Sequence, residues 1–410
     1  MNLERLQRMD DQDPLADLGD RFELPRGKTY LDGNSLGILP KGVAERIDRV
    51  VRQEWGEDLI ASWNTHRWID FPTRTGDRIG HLIGAAPCQV ICADSISVNL
   101  FKLLSAALSM QKGRSTILTQ KDNFPTDLYI AQGLSGLLGA KRCKIRSVST
   151  EQLSGALGED VAILMLTQVN FRDGRLHDIA SLTAQAQESG ALVLWDLAHS
   201  AGVIPLELDT WNVDMAVGCG YKYLNGGPGA PAFLYVARRH QAAARQSLQG
   251  WMGHAKPFAF SPDYEPAGDI QRFLTGTPGI LGMAALDAAL DAFEGVSIKG
   301  LRDKSVALTA AFIEALDGLD LPGVRLLTPR EPELRGSQVS VAHDLGYEIA
   351  QALIAEGVIV DFRAPDTVRF GFSPLYNRFS DIATALGALS RIIHEERYLA
   401  PEFGQQKSVT

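Results

Sequence analysis

Asp196 closes the apolar run ALVLWD, and Lys222 lies in GYKYLNGGPG, directly after a second apolar run, VDMAVGCG. A lysine amine normally stays in water, so a buried strand that delivers one into a glycine-rich bend needs a chemical reason. Apolar runs of this length read as strands of a sheet covered on both faces. In open parallel sheets ligands gather at the carboxyl ends of the strands, where both residues stand if the two strands are neighbours. An amine and a carboxylate on one such edge suit pyridoxal 5'-phosphate (PLP). The lysine forms a Schiff base with the aldehyde, and the carboxylate keeps the ring nitrogen protonated so that the ring can accept electrons. Burial and the cationic ring would lower the lysine's pKa. A capping aspartate and a snorkelling lysine account for the pair equally well, so other residues must decide.

Four further segments bear on it. Ile96, Ser97 and Val98 open a helical pattern whose amide N–H groups and dipole suit a phosphate dianion. In FPTD, Phe124 could stack on a ring, with Asp127 close by in an expected loop. In WDLAHSAG, His199 follows Asp196 by three residues and is expected on the same side of a starting helix. Tyr221 precedes the lysine and is the nearest candidate for proton transfer.

The elements that must position these residues alternate between helical and strand signals, which favours an α/β layer fold with a largely parallel sheet. A helix is expected over 97–109, with Asp94 and Ser95 as candidate caps. Strands are expected at VAILML, ALVLWD and VDMAVGCG, and a helix at IASLTAQAQES. Near residue 300 the pattern changes to longer helices between alternating segments such as GSQVSVAH and DTVRFGF, as in a smaller α+β domain. The expected organisation is an N-terminal arm over 1–45 associated with the small domain, a large domain over 46–300 and the small domain over 301–410.

Composition limits the partners. The 410 residues carry 45% hydrophobic and 22% charged side chains with a net charge of −9, ordinary for a soluble globular protein and unsuited to nucleic acid or an anionic membrane. The four cysteines, Cys88, Cys92, Cys143 and Cys219, have neither metal-site spacing nor the density of a disulfide scaffold. They read as reduced core thiols of a cytoplasmic protein. The N-terminus is too polar for a signal peptide, and no run is long and apolar enough to span a bilayer.

Taken together, YLDGNSLG, FPTD, WDLAHSAG, GYKYLNGGPG, GWMGH, LTGTP and VRFGFSPLYNRF resemble the kynureninase family, in order and over roughly residues 30 to 380. The resemblance implies a fold-type I PLP architecture, α/β, with a mainly parallel seven-stranded sheet and a smaller C-terminal α+β domain. It also implies a homodimer with shared active sites, and hydrolysis of L-kynurenine to anthranilate and L-alanine. Carried over by position, Lys222 holds PLP, Asp196 faces the pyridinium nitrogen, and Phe124 stacks on the ring beside Asp127. Ile96 and Ser97 take the phosphate, Ser97 standing where the family often has threonine. Thr167, His199, Tyr221, Trp251 and Thr277 fall at further cofactor-contact positions, the last two reaching across from a partner subunit. Arg369 falls where the family grips the substrate carboxylate, and His66 and Asn34 lie in segments that line its substrate pocket.

Three rivals fit less well. A cysteine desulfurase or selenocysteine-lyase-like enzyme needs a mobile late cysteine, and none follows Cys219. A nicotinamide dehydrogenase needs a glycine where GCGYKY has Tyr223. A non-catalytic PLP-fold protein has no need of Lys222, Asp196, Tyr221 and Arg369 together.

Overall fold

A computed structural model describes residues 3–407. Among these residues the strands are β1 (Thr29–Tyr30), β2 (Val90–Cys92), β3 (Thr116–Gln120), β4 (Lys144–Val148), β5 (Val161–Thr167), β6 (Leu192–Asp196), β7 (Met215–Cys219) and β8 (Ala232–Val236). Then follow β9 (Arg325–Leu326), β10 (Gln338–Ala342), β11 (Val358–Ile359), β12 (Asp361–Arg363) and β13 (Thr367–Gly371).

β2 to β8 form one seven-stranded sheet in the order β2-β8-β7-β6-β5-β3-β4, with β8 antiparallel to both neighbours and the remaining pairs parallel. The central strands are apolar throughout because helices cover both faces. Ile163 and Met165 point into one core with Leu100, Leu103 and Leu104 of the helix Ile96–Met110. Leu164 and Leu166, one residue out of phase, join the opposite core with Trp195 and Phe233. At the far edge β4, KIRSV, has only exposed and half-buried residues, as suits a border strand with one unpaired side.

A second body contains the antiparallel sheet β12-β13-β10-β9. Its core gathers Phe312, Val341, Leu353, Phe370 and Ile382 from helices Ile298–Asp317, Gly346–Ala355 and Phe379–His394 and from the sheet. The helix Ile298–Asp317 joins the two bodies: Leu301 packs in the first core, and Leu308 and Leu316 pack in the second. The chain's beginning belongs with its end. Leu6 and Leu31 lie in the second core, β1 pairs in parallel with β11, and Asp10 accepts from the amides of Phe379 and Ser380.

Three local expectations are corrected. Cys88 is exposed, and only Cys92, Cys143 and Cys219 are buried thiols. No helix follows β6: residues 198–202 form successive turns, with the Asp196 carboxylate accepting from the Ala198 amide at 2.7 Å and Gly202 in the left-handed region. FPTD is not a loop either. Phe124 is the N-cap and Pro125 begins the helix Pro125–Leu138, a position where a missing N–H costs nothing.

Candidate active site

Sheet register assembles the site. Thr167, the last residue of β5, stands opposite Asp196, the last of β6, and Asp196 stands opposite Val217 of β7. Lys222 emerges three residues beyond the end of β7, on the same edge. Around them is a cavity of about 360 Å³ lined by Ser95, Ile96, Ser97, Phe124, Thr126, Thr167, Phe171, Asp196, His199, Tyr221 and Lys222. The Lys222 Nζ lies 5.8 Å from the centre of the Phe124 ring, which packs edge-on against Phe171.

The bend carrying Lys222 is clamped by the N-terminal segment. The Gly37 amide donates to the Tyr221 carbonyl at 2.8 Å. A Cβ at Gly37 would overlap the Lys222 carbonyl oxygen and Asn225, so only glycine permits this approach. YLDGNSLG and GYKYLNGGPG, far apart in sequence, are therefore one structural unit.

Burial shapes the charges. Asp196 is buried, which pushes its carboxyl up to about 6 against the opposing pull of Lys222 and the Ala198 amide. Asp127, also buried, is pushed well above the usual carboxylate range by desolvation and by repulsion from Asp196, although Thr167 donates to it at 3.3 Å. One Asp127 oxygen is buried with no hydrogen-bond partner. Desolvation, Lys222 and Arg369 hold His199 well below its ordinary value, so its ring is neutral. Desolvation, with Cys219 and Asp196, raises the Tyr221 hydroxyl, which keeps its proton at neutral pH.

The donor set fits PLP. First-turn amides at Ile96 and Ser97 have no carbonyl four residues back in their helix and lie at the cavity wall, a place for a phosphate. Ser95 caps the helix, its Oγ accepting from the Val98 amide. The Phe124 ring, the Asp196 carboxylate and the Lys222 amine then answer to a flat ring, its nitrogen and its aldehyde.

Other expected site residues lie elsewhere in this chain. Asp127 is behind Thr167 rather than at the cavity wall. Asn34 is fully buried and donates to Gln338. Arg369 is 1% exposed and does not line the cavity: its Nε donates to Asp361 Oδ1 at 2.6 Å, Nη2 to Asp361 and Ser35, and Nη1 to the Phe171 carbonyl at 2.6 Å. Thr277 lines a neighbouring hollow that shares Asp94 and Gly229 with the cavity. Trp251 stacks edge-on with Phe258 at the surface, and His66 bonds to Asp58 at 2.7 Å.

Sequence reasoning missed Phe171, Gln338, Asp361 and the Asp94–Lys102 pair. Asp361 stands directly opposite Arg369 in the β12–β13 ladder. Lys102, fully buried, bonds to Asp94 and to the Phe273 carbonyl, and so pairs with a carboxylate that lines the cavity beside Ser95 and Ile96. A lysine on the apolar face of LFKLLSAAL was the available signal for it.

Comparison with known proteins follows the same line. Residues 301–389 match the family described as the kynureninase C-terminal domain. Over 408 residues, 98% of each chain, this chain is 48% identical to a kynureninase of Burkholderia mallei (strain SAVP1) and 46% identical to one of Pseudomonas fluorescens. Its fold is that of an apo cysteine desulfurase from Thermococcus onnurineus NA1, at a TM-score of 0.77 and 21% identity over 92% of this chain and 98% of that one. A C-DES mutant with glycine covalently linked to its PLP cofactor superposes at a TM-score of 0.76 with 20% identity, over 89% of this chain and 97% of that one.

Proposed function

This chain belongs to the kynureninase family, and on that premise we propose that its cavity binds PLP and hydrolyses the Cβ–Cγ bond of L-kynurenine, releasing anthranilate and L-alanine. The observation that carries the reading is the shared sheet edge of Thr167, Asp196 and Lys222, closed by Phe124 within 5.8 Å of the lysine amine. Bound there, PLP supplies the electron sink that carbon–carbon scission requires.

The chain's own residues do the rest. Lys222 Nζ anchors the cofactor and then serves as base for the substrate's Cα proton. Asp127 retains its proton under burial and repulsion, which leaves Asp196 as the single negative charge facing the ring nitrogen. Tyr221, held protonated, donates at its hydroxyl when the leaving carbon needs a proton. The family resemblance gives the substrate α-carboxylate to Arg369, which here stands behind the cavity wall, held by Asp361 and by the carbonyl of the cavity residue Phe171 and so one residue away from the cavity. Asn34 reaches the cavity wall only through Gln338, which donates to that same carbonyl.

The active unit is a homodimer with shared sites. Trp251, Phe258 and Phe260 stack in a row on the surface, the two phenylalanines 64% and 76% exposed, as an apolar patch awaiting a partner. Trp251 and Thr277 complete the site from the second subunit, and His66 lines the substrate pocket. No helix among the described residues is long and apolar enough to cross a membrane, and the reading places the enzyme in the cytoplasm.

The test is anthranilate fluorescence on incubation with L-kynurenine, run beside the 3-hydroxy substrate. Release from either substrate, abolished in Lys222→Ala, is the expected result. An inactive wild type loaded with PLP refutes the proposal.

A further inference from the structure

Gln338 lies in β10 of the second body and is 1% exposed. It does not line the cavity, yet it reaches two groups that do. Its Nε2 donates to the Phe171 carbonyl and to Ser340 Oγ, both at 3.2 Å. Its Oε1 accepts from Asn34 Nδ2 at 3.3 Å and lies 3.3 Å from His199 Nδ1.

Hydrogen-bond chemistry fixes the direction of every contact. The Phe171 carbonyl can only accept, so the Gln338 end facing it is the amide NH2. The other end, facing His199, is then the carbonyl oxygen. An oxygen there requires a donor, so Nδ1 of His199 carries a proton. Because the buried ring is neutral it has only that one, and Nε2 is an acceptor.

We propose that Gln338 is a positioning residue that locks His199 in the Nδ1–H tautomer, so that the ring offers the cofactor cavity an unprotonated Nε2. The group that His199 meets in the cavity must therefore carry a proton, and a bare anionic oxygen is disfavoured there. The same carbonyl of Phe171 also accepts from Arg369 Nη1 at 2.6 Å. One glutamine in the C-terminal sheet thereby ties the histidine of the cofactor side to the arginine proposed for the substrate.

This inference rests on the proposed reading of the cavity as a PLP site. Its test is a long-range proton–nitrogen correlation spectrum of holoenzyme labelled with 15N-histidine, the His199 signals being assigned by their loss in His199→Gln. The wild type should show Nδ1–H and a bare Nε2. Gln338→Glu, which when protonated keeps a donor for Phe171 and an acceptor for His199, should retain that pattern. Gln338→Met should release the ring to mixed tautomers and lower kcat by about tenfold, in the range of other lost outer-shell hydrogen bonds. Nε2–H in the wild type, or an unchanged tautomer in a folded Gln338→Met, overturns the proposal; if that variant does not fold, the wild-type spectrum decides alone. The spectrum reads the ring whether or not kynurenine is cleaved, so the two readings fail separately.

Discussion

Asp196 is stabilising for the cofactor and destabilising for the empty fold. Its folded value, about 6, lies above the ordinary carboxylate value of 3.8, so the folded chain holds that proton more tightly than the unfolded one. The stability this contributes is complete below the unfolded value and is lost as pH rises from about 4 to about 6. Asp196→Asn should therefore stabilise the PLP-free protein at pH 8 by on the order of 3 kcal/mol, seen as a higher Tm, while the loaded variant loses turnover. A scanning-calorimetry series from pH 4 to pH 8 that shows no such gain removes the argument. For Arg369→Ala, KM for kynurenine should rise by about 2 kcal/mol worth of binding, the scale of a charged hydrogen bond; initial-rate kinetics with an unchanged KM would place the carboxylate elsewhere. Asp196 and Lys222 were legible as a pair because their residue types and flanking strands point to one chemistry. Asp361 was not, because only the antiparallel register sets it opposite Arg369.

Strands β5, β6 and β7 could be read directly, since burial on both faces leaves continuous apolar runs. Short β2 and the edge strand β4 could not: VIC is too brief to show a period, and KIRSV is mostly polar. The turns after β6 were misread as a helix because WDLAHSAG has helix-compatible residues; the Asp196 cap on Ala198 and left-handed Gly202 bend it instead. The clamp of the N-terminal segment on the lysine bend is a tertiary fact with no local signal beyond its glycines. Gly37→Ala should push that segment away from Lys222 and Asn225, and the consequence is weaker PLP retention with little change in the rest of the fold. Dialysis followed by absorbance near 420 nm, the region of a protonated PLP–lysine adduct, checks it. Retention equal to wild type would show that the clamp is dispensable.

Across the whole molecule, the change in pattern near residue 300 was legible in the sequence, whereas the surface row of Trp251, Phe258 and Phe260 was not, because exposure cannot be read from three aromatics in a loop. If sites are shared in a two-fold dimer, mixing and refolding Lys222→Ala with Trp251→Ala should give hybrids with one intact site, and about a quarter of wild-type activity from two impaired parents. Activity no greater than the mean of the parents would mean that each chain works alone. The pairing of β1 with β11 carries a further consequence for biosynthesis. A ribosome releases Thr29 and Tyr30 long before Val358 and Ile359, so the first segment must wait for nearly the whole chain to be translated. The vitamin-derived group can then be gripped firmly only once synthesis is almost finished, and truncated products should leave the ribosome without it.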